Sequence, residues 1–422
     1  MKKKLQILLA IITICHCQYP CKSFALTLSE AIDTALKNNP SLQMQSKQVL
    51  VQKEALAQQK KKKSPTVSAN ASYVRSGSEG VTATHQTGSY GTGFTLEQLI
   101  ADSGKTEANI RSAQFTLLSS EYDFKAAQND LIVETVFAYW TTLVNRECVT
   151  IAERKHQNYE NRLKWAESFY RVGTKAKIEV TRAKSELATS KSELVKNQAE
   201  FEESKQKLAQ LLSLEVSDIK ELDSSLAYQD TKFDTTNAIE NALKNRPELL
   251  ATKALLSASN ENLALQKKGY SPSFTAGVGY NFGNNSYFDS DQWNARLSAS
   301  IPLFDGGVTN SKIREAQAKK EIAAAKLKDI ENSVRYEVSV AITTMNKSNE
   351  AYFSMLEAEK AAEETLRLAN GRYKAGTGDS LEISDAIEKL ANAQYNTLKA
   401  LYTFRAAQIE YLRAIGERYN AN

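Results

Sequence analysis

Proline, cysteine, histidine and long apolar runs are all scarce in this chain of 422 residues, and each scarcity excludes something. The six prolines stand at 20, 40, 65, 247, 272 and 302, so none interrupts residues 66–246 or 303–422. Proline breaks a helix interior, so such stretches permit very long helices. One apolar run exists, residues 5–14. A transmembrane helix needs about 20 apolar residues, which excludes a polytopic helical membrane protein. Three of the four cysteines, Cys15, Cys17 and Cys21, sit near the N-terminus, and Cys148 alone makes no internal disulfide. Beyond that end only His85 and His156 remain, and they stand at no ligand spacing. No zinc, triad or phosphate-loop pattern appears. Gly277-x-Gly279 falls inside an expected strand with no helix following, unlike a dinucleotide fingerprint. No enzyme, cofactor or metal is expected.

Residues 1–25 read as a secretory signal: Lys2, Lys3 and Lys4, then the apolar run, then Ser23-Phe24-Ala25 as a cleavage site. A lipoprotein would need a small residue before its cysteine, where Ile14, His16 and Pro20 stand. The leader carries Lys2, Lys3, Lys4, Lys22 and no acid, so 50 of the 54 Lys and Arg remain against 49 Asp and Glu. A near-neutral exported chain is a poor nucleic-acid binder.

What is present is a long internal repeat. EAIDTALKNNPSL from Glu30 returns as NAIENALKNRPEL from Asn237, at an offset of 207 that still holds for Tyr73 and Tyr280. From Asp102 and Asp305 onward the offset is 203, through Tyr170 and Tyr373 to Glu179 and Glu382. A period this long is no small solenoid unit. It reads as one half used twice: residues 26–212, a joint at 213–235, and residues 236–422.

Within each half the hydrophobic period switches from helical to two. Strands are expected at about 65–75, 88–98, 272–283 and 291–303, as two hairpins with polar loops at 76–87 and 283–291. Val67, Tyr73, Trp293 and Leu297 alternate with Asn70, Ser72, Asn294 and Arg296. Strands of about ten residues with one apolar and one small-polar face, flanked by aromatics, are the signature of an outer-membrane barrel. The first set is expected to meet lipid and the second the lumen; the plain alternative is an ordinary sheet on a soluble core. Helical hairpins follow at 104–212 and 307–416. In the second, Ile383, Ala386, Leu390, Ala393, Thr397, Ala400, Phe404, Ala407 and Tyr411 keep a 3,4 spacing, a coiled-coil seam. Four strands cannot close a membrane barrel, and an open edge is untenable in lipid. Two, three or four copies would supply eight, twelve or sixteen strands.

Taken in order, TLSEAIDTALKNNPSL, the two Ser-Pro strand starts, PLFDGG, and the turns FYRVGTKAKIEVTRA and RYKAGTGDSLEISDA resemble the TolC family of outer membrane efflux proteins. The resemblance covers essentially the whole chain after the leader. It implies a mixed α+β membrane protein: a homotrimer with one twelve-stranded β-barrel in the outer membrane and a long α-helical barrel across the periplasm of a Gram-negative bacterium. Such a duct serves a periplasmic adaptor and an inner-membrane pump of RND, ABC or MFS type. It passes drugs, detergents or, in type I secretion, unfolded proteins. The alternative is a structural coiled-coil stalk or adhesin anchored in the outer membrane.

Glu382 and Asp385 stand three apart and share a helix face. By the resemblance they match an acidic pair ringing the pore constriction; otherwise they are a solvated face. Glu179 matches a family gate acid. Tyr373 matches a tyrosine of the closed-state links, but its partner arginine is replaced by Gly378, leaving Lys175 or Lys177 as substitutes. Val172, Gly173 and Thr174, with Ala375, Gly376 and Thr377, form two turns that glycine alone explains, and that the resemblance makes adaptor-docking tips. Lys60, Lys61, Lys62 and Lys63, with Lys267 and Lys268, read as a basic collar near lipid phosphates rather than a nucleic-acid patch.

Overall fold

The structure, a computed structural model, describes residues 26–79, 84–219, 221–222, 226–229, 236–284 and 291–419. The expected leader and part of the joint at 213–235 lie outside the described residues. The chain order is α1 (Leu28–Asn38), α2 (Pro40–Lys61), β1 (Thr66–Glu79), β2 (Thr84–Ala101), α3 (Lys105–Arg171), α4 (Lys177–Leu212), α5 (Ala238–Asn245), α6 (Pro247–Lys267), β3 (Ser273–Asn284), β4 (Asp291–Ser300), α7 (Val308–Lys374) and α8 (Ser380–Ala414).

Local chemistry fixes the helix starts. Thr27 and Glu30 form a reciprocal capping box on α1. Asn39 Oδ1 accepts from the Ser41 and Leu42 amides, and Pro40 takes the first position of α2, where no helical amide bond is lost. The two longest helices begin alike. Asp102 Oδ2 accepts from the Thr106 amide at 2.7 Å and Asp305 Oδ2 from the Thr309 amide at 2.7 Å. Gly104 and Gly307, at φ 81° and 89°, turn the chain into α3 and α7. Each of these helices has 67 residues, about 100 Å at 1.5 Å per residue.

The four strands make one antiparallel sheet in the order β1-β2-β3-β4. Val67, Leu96, Val278 and Ala295 form one row across it, and Ala69, Phe94, Tyr280 and Trp293 another, on the same apolar face. The opposite face carries Glu97, Gly277 and Arg296 in one row and Asn70, Gly93, Asn281 and Gln292 in the next. The expected sets therefore fall on opposite faces. The strand limits differ from expectation. Ser76 pairs with Thr87, and pairing continues to Glu79 and Thr84, so most of the expected loop at 76–87 is strand. A ladder is built from backbone groups, and side-chain alternation is blind to a polar extension. β4 instead stops at Ser300, short of 303. It is an edge strand, and Pro302 has no amide to donate.

Helix α3 is the central rod. It packs against α2 and α6 toward the sheet and against α4 and α8 toward the far end, while α7 packs against α6 and α8. One flank of the chain is thus β1, α2 and α4, and the other is β4 and α7. Midway, α1, α3 and the end of α4 bury Trp140, Leu143, Leu208 and Leu212. The joint contributes to this core: Ile219 and Leu222 are buried, and Leu222 bridges Leu26. Tyr228 stacks on Tyr352 and Phe404, at ring separations of 5.3 and 5.2 Å. No helix among the described residues is long and apolar enough to cross a membrane.

Candidate functional site at the helical tips

Both hairpins end in the same turn. The Thr174 amide donates to Phe169 O at 3.0 Å and the Thr377 amide to Arg372 O at 3.1 Å. Gly173 and Gly376 take φ of 77° and 79°, the left-handed conformation that closes a helix C-terminus. Val172 and Ala375 cap the helices, and residues 172–174 are exposed. The candidate tips therefore lie at one end of the molecule, farthest from the sheet.

The two turns are then tied together. Lys175 Nζ donates to Gly378 O at 3.5 Å and stands 6.0 Å from the centre of the Tyr373 ring. Lys177, the other candidate substitute, opens α4 and is exposed. Gly378 itself leaves no room for a side chain: a Cβ would meet Tyr373 N at 2.7 Å. A larger residue here, such as the arginine the resemblance led one to expect, would have to move the turn.

Tyr373 is 1% exposed. Its ring meets Phe169 edge-on at 5.5 Å and lies 6.2 Å from Trp165. Its hydroxyl makes no hydrogen bond among the described residues, and neither does Glu179 Oε2, also buried. Burial pushes the Tyr373 phenol up, against the pull of the Arg162 guanidinium and with Glu179 and Asp379 adding to the rise. Arg162 is thus the buried cation beside Tyr373, with Lys175 over the ring. It is 1% exposed, pairs with Glu186, and donates from Nη2 to Ser380 Oγ at 2.6 Å. Ser384 Oγ donates to the same Glu186 at 3.1 Å, joining α3, α4 and α8. Seven residues earlier on α3, Lys155 Nζ binds Glu193 at 2.5 Å and Glu388 at 2.9 Å, and the Tyr159 hydroxyl donates to Glu388 at 2.7 Å. Burial opposes the Lys155 charge, but those two carboxylates outweigh it and hold the ammonium above the usual lysine range.

Glu382 and Asp385 share the first turns of α8 as expected, yet each has a basic partner. Arg372 Nη1 donates to Glu382 Oε1 at 2.8 Å, and Lys389 pairs with Asp385 at 2.7 Å. Both pairs are solvated, where an ion pair contributes about 1 kcal/mol or less. They leave the carboxylates available on the surface. At the other end, Lys60, Lys61, Lys62 and Lys267 are exposed beside the sheet. Lys63 pairs with Glu107, and Lys268 Nζ donates to Gly104 O at 3.1 Å, so these two also brace the junction.

The Arg162 and Lys155 clusters escaped sequence reading, although a signal was there. Ala152, Lys155, Tyr159, Arg162 and Ala166 keep the 3,4 spacing of an inward stripe and are all buried. Two cations on such a stripe demand partners. Cys148 is no reactive group: burial, with Glu200 and Glu147 nearby, pushes its thiol up to about 11.

A family profile described as "Outer membrane efflux protein" matches residues 31–213 and 238–417. The outer membrane protein TolC of Vibrio cholerae is 23% identical over 402 residues, 93% of this chain and 91% of that protein. The probable efflux pump outer membrane protein TtgC of Pseudomonas putida is 21% identical over 417 residues, 92% of this chain and 82% of that one. Among solved structures, the Campylobacter jejuni CmeC outer membrane channel superimposes with a TM-score of 0.83 at 19% identity, covering 92% of this chain and 85% of that one.

Proposed function

The chain belongs to the outer membrane efflux protein family, and from that premise we propose that it forms a homotrimeric exit duct. A twelve-stranded barrel would cross the outer membrane, and the helical hairpins would extend into the periplasm toward an adaptor and an inner-membrane pump. One observation carries this reading: a single four-stranded sheet has two apolar rows crossing all four strands on one face, and its edge strands β1 and β4 pair with no other strand among the described residues. In lipid, unpaired edge groups cost several kcal/mol each, so closure by further copies is required. The helical flanks support the same assembly. Ile322 and Tyr336 on α7 are 68% and 70% exposed, and Met44 on α2 is 67% exposed. Exposed apolar residues on these two helices fit copies meeting side to side.

The apolar face meets lipid and the face bearing Asn70, Ser72, Asn294 and Arg296 lines the lumen. At the tips, Glu382 and Asp385 give six carboxylates around the trimer axis, where like charges focus cations at a constriction. Glu179 and Tyr373 belong to the closed arrangement, with Arg162 and Lys175 in the role of the absent turn arginine. Val172, Gly173, Thr174, Ala375, Gly376 and Thr377 receive the adaptor, and Lys60–Lys63, Lys267 and Lys268 lie against lipid phosphates. The two family-matched segments act as equivalent halves, 26–212 and 236–422, around the joint at 213–235.

Native mass spectrometry in detergent is expected to give three chains per particle; monomers or tetramers would overturn the trimer. Cysteines at Asn70 and Asn294 are expected to react with a membrane-impermeant thiol reagent in liposomes, and those at Val67 and Leu297 to be protected. Equal labelling of both sets would refute the assignment of faces.

A further inference from the structure

The face of the sheet assigned to the lumen is nearly uncharged. Glycine, serine, threonine and asparagine dominate it, and among the described residues of β1 to β4 it carries one carboxylate and one guanidinium, Glu97 and Arg296. The register sets both in a single row across the sheet: Thr66, Glu97, Gly277, Arg296. Glu97 and Arg296 thus flank β3 from either side, with Cα atoms about 10 Å apart at a strand spacing of about 4.8 Å. Thr66 opens β1 just after α2, so this row lies at the end of the sheet that joins the helices.

Between the two charges the wall is hollow. Gly277 and Gly279 give β3 a floor without side chains, and Thr95, Asn294 and Ser298 help to rim a hollow of about 100 Å³. Glu97 leans over that floor: its Cγ is 3.7 Å from where a Cβ on Gly277 would stand. Both charged side chains are exposed. Among the described residues, no hydrogen bond or ion pair ties either of them to another group. The repeat does not account for the arrangement. At offsets of 203 and 207, Glu97 and Arg296 correspond to Ser300 and Gly93, and Gly277 and Gly279 to Asn70 and Ser72. The matching places therefore hold neither the charges nor the glycine floor.

We infer that Glu97, Arg296 and the Gly277–Gly279 floor form a weak subsite for zwitterionic solutes, molecules that carry an ammonium and a carboxylate together. This rests on the duct reading above and gives the duct wall a substrate class. In a ring of twelve strands, β2 and β4 alternate at every second strand, so acid and base alternate around the neck of the barrel. A singly charged solute is attracted by one group and repelled by the next, so it gains little. A solute with both charges, laid across Gly277, sets its ammonium at Glu97 and its carboxylate at Arg296 and is attracted at both ends.

Single-channel recording of the full chain tests the subsite, in about 0.01 M salt, where screening reaches about 30 Å. Glu97→Gln is expected to move the reversal potential toward anions and Arg296→Gln toward cations, each by about twofold in permeability ratio. The probe for the hollow is 6-aminohexanoate, with 6-acetamidohexanoate as the control that keeps the carboxylate and loses the ammonium. The first is expected to add current noise to the wild type, and the second to add much less. That excess is expected to vanish when Glu97→Gln and Arg296→Gln are combined, and in Gly277→Val, which keeps both charges but fills the floor. Reversal potentials that move the same way or not at all, or an excess of noise that is missing from the wild type or survives in the combined variant, overturn the subsite and leave a conducting duct standing. A wild type that does not conduct overturns both.

Discussion

Helices α3 and α7 have the same length and corresponding places in the chain, yet they live in different surroundings. Eighteen residues of α3 are buried and nine of α7. The reason is position. α3 packs against α1, α2, α4, α6 and α8, while α7 packs against α5, α6 and α8. The contrast is sharpest at one pair of corresponding positions: Ser119 of α3 is 2% exposed, and Ile322 of α7 is 68% exposed. An exposed isoleucine opposite a buried serine is hard to explain for a lone chain and simple for one whose α7 face is covered by a second copy.

The largest effect expected from breaking this contrast is at Arg162. Arg162→Met leaves Glu186 without its cation in a largely dry site, a loss of about 3 kcal/mol. Thr365, the corresponding residue of α7, is exposed, and Thr365→Ala should change stability by less than about 0.5 kcal/mol. Hydrogen exchange at the α8 amides of residues 380–388 reads the difference, and equal protection in the two variants would contradict it. Next comes assembly. Ile322→Glu is expected to keep the helical circular dichroism of the chain but to weaken trimer formation about tenfold or more, because an unpaired carboxylate enters the interface. A dilution series by native mass spectrometry checks it, and an undiminished trimer would place α7 outside the interface.

A smaller effect sits where the two long helices begin. Hydrogen bonds from Thr309 lead the causes that hold the Asp305 carboxyl at about 2, below its ordinary 3.8, despite some opposing desolvation, with Tyr270 and Gly307 also donating. A carboxyl lowered by folding stabilises above its unfolded value and loses that contribution as pH falls through the folded one. Thermal unfolding should therefore weaken between about pH 4 and pH 2, and Asp305→Asn should flatten that part of the profile. The smallest effect is at Tyr373. Its hydroxyl is buried without a hydrogen bond, so Tyr373→Phe should alter stability by less than about 1 kcal/mol. A larger loss would mean that a neighbouring copy supplies a partner in the closed assembly.

Much of this architecture was legible from sequence because it rests on periodicity and on residues with few conformational options. Prolines 40, 65, 247 and 272 punctuate where elements change, and Gly173 and Gly376 mark the tips. Most of the α8 seam was readable too: Ile383, Ala386, Thr397, Phe404, Ala407 and Tyr411 are buried, while Leu390, Ala393 and Ala400 are half-buried. The polar outer ends of β1 and β2 were not, since backbone pairing there carries no side-chain signal. Nor were the partners of Arg162 and Lys155, because Glu186, Glu193 and Glu388 sit on helices whose lateral order the sequence leaves open. The same limit hid the difference between Tyr170, half exposed, and Tyr373, buried: they correspond along the chain but not in what surrounds them.

The proposed duct, narrowed by acids at the hairpin tips, is tested by single-channel recording in planar bilayers. Dilute electrolyte is needed, since screening shortens to about 3 Å at 1 M salt. The wild type is expected to conduct with a preference for cations and to be blocked by multivalent cations. Glu382→Ala with Asp385→Ala should weaken both properties, and more than Glu337→Ala with Glu350→Ala in the middle of α7. No conductance from the wild type would contradict the duct itself. Unchanged selectivity in the tip variant would reduce Glu382 and Asp385 to a solvated helix face.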